Sequence, residues 1–216
     1  MKRILFFSVA IILFVRCESS STKISIKGLN KLVLTSDLQP GDIIFQSSTS
    51  GQGLAIQLAT HSKYSHVGIL FEKDGKLVVY EAVQPVRISE LDEWIERGDE
   101  HHFVVKRLKN SDKILTPSLI TQMQAEATKH LDKNYDAYFG WSDDRIYCSE
   151  LVWKIYHRTT GLKIGTLQAL KSFDLSAPIV QETMHRRYGK NIPYEEPVIS
   201  PGAMFDDPLL YTVTKR

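Results

Sequence analysis

Apolar runs with strand-like alternation or β-branched residues fill the first half of the chain, and three- and four-residue apolar spacing takes over in the second. "DIIFQ" (Asp42 to Gln46) follows the turn pair Pro40-Gly41 and reads as a short strand. "GLAIQLAT" (Gly53 to Thr60) has the pattern of a short helix. "HVGILFEKDGKLVVYEAV" (His66 to Val83) is two β-branched runs around Asp74-Gly75, a pair suited to a tight turn, and predicts a hairpin. "SELDEWIERG" (Ser89 to Gly98) reads as a capped helix closed by glycine, and "HFVVKRL" (His102 to Leu108) as a further core strand. Helical patterns then cover Pro117 to Leu131, Tyr147 to Gly161 and Ser176 to Gly189. Strands first and helices after predict an α+β domain, a small antiparallel sheet packed against helices.

The hairpin places chemistry. Folding at Asp74-Gly75 sets residues whose numbers sum to about 149 opposite each other, so Glu81 falls near position 68 and His66 is its diagonal neighbour on the same face. Glu81 interrupts the apolar run "LVVYEAV", where an unpaired carboxylate is costly to bury. It is expected either to orient the His66 imidazole or to form a salt bridge at the strand edge, for instance to Arg87. The other histidines sort differently. His61, His101 and His102 adjoin loops and charged turns, and His130, His157 and His185 sit on helices among Lys and Arg, as surface residues do.

In the run "YCSELVWKIYHRTTG", Leu151, Val152, Ile155 and Tyr156 form a buried stripe. Cys148 lies at its edge in the first helical turn, where unsatisfied backbone N–H groups and the helix dipole stabilise a thiolate. The same N–H groups suit a developing oxyanion. The competing reading is a packed, inert cysteine, since free cysteine is among the most buried residue types. A metal site built from His61, His66, Glu81 and Cys148 is disfavoured, because His61 and His66 straddle a loop and lack the i, i+4 register of a helical zinc pair. No metal or other cofactor is expected.

Composition narrows the class. With 216 residues, 43% hydrophobic and 24% charged, one full-sized core is the expectation. A net charge of +2 without basic–aromatic interleaving argues against a nucleic-acid partner. Residues 1–16 read as an export signal, with Lys2 and Arg3 ahead of an apolar run from Ile4 to Val15 that is short for a bilayer span. Residues 17–35 read as a linker and 36–216 as the domain. Cys17 stands where the lipidated cysteine of a bacterial lipoprotein would, with Arg16 in place of the usual small residue. A lipid there is the one expected contact with a membrane. Cys148 is then the sole thiol of the domain, which argues against a structural disulfide.

The segments "PGDIIFQ", "QLATHSKYSHVGIL", "YEAVQPV", "WSDDRIYCSELVWKIY" and "YGKNIPYEE" together resemble the YiiX-type branch of the NlpC superfamily, over about Leu38 to Phe205. That resemblance implies a circularly permuted papain-like fold with the nucleophile helix C-terminal to the sheet. It also implies a cysteine hydrolase in which Cys148 is the nucleophile, His66 the base and Glu81 the orienting acid. Glutamate departs from the histidine or polar residue that other NlpC-like enzymes often place at the orienting position. Tyr64 and Trp141 are candidates for lining the cleft, with structural packing the competing reading for both and the favoured one for Trp141. The resemblance implies a cell-wall peptide as substrate, cleaved at an amide bond in the periplasm or cell envelope. An acyl lipid, handled by a deacylase or acyltransferase through the same thioester, is the alternative, and a non-catalytic binding module is a third.

Overall fold

The computed structural model describes residues 37–215, and the expected export signal, the expected linker and Cys17 lie outside them. The architecture is α+β, as the patterning predicts. Strands β1 (Ile43–Gln46), β2 (His66–Lys73), β3 (Lys76–Glu81), β4 (Arg87–Glu90), β5 (Phe103–Leu108) and β10 (Leu210–Lys215) form one antiparallel sheet in the order β10-β5-β1-β2-β3-β4. Helix α1 (Gly51–Thr60) joins β1 to β2. The short helix α2 (Leu91–Glu96) follows β4, and α3 (Ser111–Ile114) and α4 (Pro117–Thr128) follow β5. Then come the short strands β6 (Asn134–Tyr135) and β7 (Arg145–Ile146), helix α5 (Cys148–Thr160), strand β8 (Gln168–Ala169), helix α6 (Pro178–Tyr188), strand β9 (Pro197–Val198) and helix α7 (Pro201–Phe205).

The hairpin register follows the predicted sum of 149: Ile69 pairs with Tyr80 and Leu70 with Val79. Asp74 and Gly75 both take positive φ, 53° and 74°, which the two-residue turn requires and which aspartate and glycine tolerate. Strand alternation divides the sheet between two cores. Ile43, Phe45, Val67, Ile69, Phe71 and Val104 pack in the main core with α5, while Ile44, Leu70, Val79, Phe103 and Val105 pack with Trp94 in a smaller one. Gly68 is required by close approach, since a Cβ there would lie 2.4 Å from Val79 Cγ1.

Two expectations need correction. The predicted helix Ser89 to Gly98 begins only at Leu91, because Ser89 and Glu90 are taken by strand β4 pairing with Val79 and Val78. The sheet also gains β10 at one edge, from a C-terminal segment absent from the sequence reading. Its side chains are mostly exposed or half-buried, so its strand state comes from pairing with β5 and not from a buried face.

Helix α5 is the axis of the main core. Every residue from Cys148 to Tyr156 is buried, including Glu150 and Lys154, which pair at 2.6 Å. Tyr156 donates its hydroxyl proton to the Gly41 carbonyl at 2.6 Å, and Ser149 Oγ donates to the Ile199 carbonyl at 2.8 Å. These bonds fix the helix against the start of β1 on one side and against the segment before α7 on the other. Gly161 ends it in the left-handed conformation, φ 76°, with its N–H on the His157 carbonyl.

Candidate active site

Cys148 occupies the first turn of α5 and is 2% exposed. The Glu150 carboxylate accepts the N–H of Tyr147 at 3.2 Å, which anchors the chain just ahead of the cysteine. His66 opens β2 with its side chain 13% exposed, and its ring stacks near Trp94 at 5.8 Å. Its Nε2 lies 2.7 Å from Glu81 Oε2, across the diagonal that the hairpin register creates. The Cys148 thiol is its second partner, near enough that each group shifts the pKa of the other. Cys148, His66 and Glu81, far apart in the sequence, thus form one continuous chain.

Glu81 is fully buried, and both alternatives raised for it hold at once. Its Oε2 meets His66, while its Oε1 accepts from Ser89 Oγ at 2.6 Å, Arg97 Nη2 at 2.5 Å and Arg87 Nε at 3.3 Å. Arg97 and Ser89 are expected from the sequence only as parts of a capped helix, with no role at Glu81. They come from the C-terminal cap of α2 and from β4, which bend over the end of β3. Burial works against the carboxylate, but His66, Ser89 and Arg97 outweigh it and hold the Glu81 pKa down at about 2.

For His66, burial disfavours the imidazolium, yet the hydrogen bonds and charges of Cys148 and Glu81 overcome it and raise the pKa to about 9. For Cys148, burial opposes the thiolate. The hydrogen bond and charge of His66 then outweigh it, aided by the backbone of Val67 and Ser149, so the thiol lies below its ordinary value. Both shifts favour a thiolate–imidazolium pair, and a buried thiol held this way is the opposite of an inert packing cysteine.

Two clefts flank this pair. On the sulfur side Cys148 borders an apolar pocket walled by Ala55, Ile56, Phe173, Val180 and Met184. On the imidazole side His66 borders a pocket of about 450 Å³ that is more polar than the first, with Ser48, Ser65, Gln84 and Arg97 beside the apolar Ile56, Ala82 and Val83. Gln52, Ile56 and Tyr135 line both. Tyr64 and Trp141 line neither. Tyr64 stacks on Phe205 at 4.1 Å in the core, and Trp141 packs edge-on against Trp153 at 5.2 Å under Lys154, so packing and not substrate explains both. His130 is buried, not on the surface as expected, and burial with neighbouring Lys133 holds its pKa down at about 4. His61 turns away to Asp174 at 3.3 Å, so the four-residue metal set does not assemble. Among the described residues, no three His, Cys, Asp or Glu side chains form a group suited to a metal ion.

Residues 37–214 match the family described as permuted papain-like amidase enzyme, YaeF/YiiX, C92 family. The chain belongs to this family. It is 50% identical over 178 residues to the protein YiiX of Escherichia coli strain K12, covering 82% of this chain and 87% of that protein. It is also similar to a crystal structure of YiiX from Escherichia coli O157:H7, titled a metalloprotein, with a TM-score of 0.79, 50% identity, and coverage of 82% of this chain and 97% of that one. Membership makes the chain a papain-like cysteine hydrolase with a permuted fold, and the permutation explains why its sheet residues precede its cysteine helix.

Proposed function

We propose that this YaeF/YiiX-family amidase is an exported hydrolase that passes an acyl group through a thioester on Cys148. The observation that carries the reading is the continuous chain from Cys148 to His66 to Glu81 at the N-terminus of α5. Cys148 Sγ attacks the carbonyl carbon and the carbonyl π electrons move to oxygen, where the Cys148 backbone N–H helps hold them. Collapse breaks the bond to the leaving group, which takes the proton from the His66 nitrogen facing the sulfur. Water then attacks the thioester, giving that nitrogen a proton as its oxygen bonds to carbon, and the acid leaves with the thiolate restored. Glu81 keeps the imidazole in the tautomer and orientation this shuttle needs.

The two clefts separate the substrate's halves. The proton donor His66 faces the more polar pocket, so the leaving group belongs there, while the acyl group bonded to sulfur extends into the apolar one. Placing a polar cell-wall peptide in the apolar side would strand unpaired amides. The geometry therefore favours the acyl-lipid alternative: an amide or ester of an apolar acyl chain with a polar head. Octanoyl 4-nitroanilide should be cleaved at least about tenfold faster than the acetyl compound, as several buried methylenes contribute on the order of 0.8 kcal/mol each. Equal rates, or mass spectra showing cleavage of peptidoglycan fragments and not of phospholipids, would return the substrate to the cell-wall peptide.

The metalloprotein title of the similar crystal structure raises a metal for this chain. The donor set does not fit one: Glu81 and Cys148 take the two edges of the His66 ring, and His61 is held by Asp174. No step above runs through a metal.

Export is the remaining part of the reading and rests on residues 1–16. The full chain should be recovered outside the cytoplasm with its N-terminus processed, and Cys17→Ser should release it from membranes. An intact N-terminus in the cytoplasm would count against export, and unchanged fractionation of the variant would remove the lipid anchor.

A further inference from the structure

Gln46 ends β1 directly opposite His66 in the ladder with β2, so the two side chains leave the same face of the sheet. It is 3% exposed and lines the pocket on the imidazole side, yet its Oε1 is sealed from solvent with no hydrogen-bond partner among the described residues. That oxygen is turned to Gly98, where a Cβ would stand 2.6 Å from it. The nitrogen end of the amide is left to face the pocket. A buried glutamine without a partner is costly, and here it stands beside the reacting histidine.

The next residue along the wall is a cation. Arg97 lines the same pocket, and its Nη2 and Nε are committed to Glu81, Ser89 and the Glu93 carbonyl, which leaves Nη1 outside these bonds. Helix α1 also starts at this pocket. Ser48, Ser50 and Gly53 line it, and Ser50 caps the helix by accepting the Gly53 N–H at 3.0 Å, so the positive end of a ten-residue helix lies at the wall. No Asp or Glu lines the pocket among the described residues.

The charges behind the wall do not cancel this. Three cations, His66, Arg97 and Arg87, meet two anions, Glu81 and the Cys148 thiolate, which leaves one positive charge in excess. When the sulfur is acylated and His66 gives its proton to the leaving group, one anion and one cation vanish together. The excess therefore persists until the leaving group has gone.

We infer that the leaving group carries an anion, a phosphate or carboxylate a few bonds beyond the scissile atom, received by Arg97, the Gln46 amide and the start of α1. This deepens the acyl-transfer reading above and rests on its placement of the leaving group beside His66. The anion forms no covalent bond and donates no proton, so the steps of that scheme are unchanged. Arg97 and Gln46 decide which head group is accepted, and a cationic head would find no carboxylate there.

The test uses the full chain and two substrate pairs. N-octanoylglycine and N-octanoylglycinamide differ in the carboxylate charge, and N-octanoyl phosphoethanolamine and N-octanoylethanolamine in the phosphate. The anionic member should have a kcat/KM at least about tenfold higher, the scale of a hydrogen bond to a charged group. A preference confined to one pair assigns the anion to that source. Arg97→Gln and Gln46→Leu should remove most of the preference, and Arg97→Lys should keep part of it. The readout is the ratio within a pair, from which any effect of Arg97 on Glu81 and His66 cancels.

A second readout needs no turnover. Iodoacetate and iodoacetamide alkylate the same sulfur and differ by a carboxylate, so the ratio of their rates at Cys148 should fall severalfold in Arg97→Gln and in Gln46→Leu. Equal kcat/KM within both pairs, or a wild-type alkylation ratio in both variants, would overturn the assignment. Should none of the four amides be cleaved, the alkylation ratio decides alone. If the acetyl counterparts are cleaved as fast as the octanoyl compounds with the preference for the anion intact, the apolar acyl cleft fails and the anion site stands.

Discussion

Cys148→Ala and Cys148→Ser should each lose turnover by roughly 10⁴-fold or more while remaining folded, the scale seen when a nucleophile that acts as one unit with its base is removed. Serine is nearly isosteric with cysteine, and its hydroxyl is a far weaker nucleophile at the same base. The thiol should announce itself before any substrate is known. An unperturbed cysteine reacts with iodoacetamide as pH approaches about 8.5. Cys148, with its pKa held down by His66 and the backbone of Val67 and Ser149, should react well below that pH. Peptide mapping by mass spectrometry separates this site from Cys17. His66→Ala removes the cation and leaves the helix terminus, so the reactive pH should move upward. Superimposable profiles for wild type and His66→Ala, with no alkylation below about pH 8, would discard the thiolate–imidazolium pair and favour a non-catalytic binding module.

Glu81→Gln should lower kcat by about 10²- to 10³-fold, within the range for acid–base machinery that loses its orienting charge. The pH profile supplies the readout that a purely structural carboxylate would leave unmoved. The upper limb of wild-type activity reports loss of the His66 proton at about 9. Without the Glu81 charge only Cys148 still opposes burial, and that limb should shift acidward. The linkage to stability runs in opposite directions for the two partners. His66 is raised from 6.5 to about 9, so its contribution is complete below about pH 6.5 and is lost as pH rises through 9. Glu81 is lowered from 4.5 to about 2, so its contribution is present above about pH 4.5 and fades as pH falls toward 2. Unchanged rate and profile in Glu81→Gln, measured with unfolding monitored in parallel, would leave Glu81 as an anchor for Arg97, Arg87 and Ser89 alone.

The hairpin shows how far local pattern reaches. Asp74-Gly75 and the β-branched runs beside it determined the register, and the register determined that His66 and Glu81 meet, because strand pairing propagates in steps of two from a turn of fixed geometry. The 3.6-residue stripe behind Cys148 likewise determined α5 and placed the sulfur in its first turn, within one residue at either end of the helix. Membership of the YaeF/YiiX family was legible too, since its segments stand in the same order along the chain.

What the sequence left open depends on groups that local spacing does not connect. Arg97 and Ser89 reach Glu81 only because β4 and α2 fold back over the end of β3, and the boundary between that strand and helix was misread for the same reason: pairing with Val78 and Val79 overrode the capping signal at Ser89. Strand β10 exists through its ladder to β5, a contact about a hundred residues away along the chain. Tyr64 and Trp141 carry side chains that suit a cleft equally well as a core, and only their stacking on Phe205 and Trp153 decides between the two. His130 sits among lysines in the sequence, yet the packing of α4 against α5 buries it. The division of the cleft into an apolar half beside Cys148 and a more polar half beside His66 is likewise tertiary, since α1, α6 and the segments around β8 and β9 each contribute a few residues to a wall that none of them forms alone. Local periodicity encodes which face of an element is buried, whereas the chemistry of a cavity is set by which faces meet.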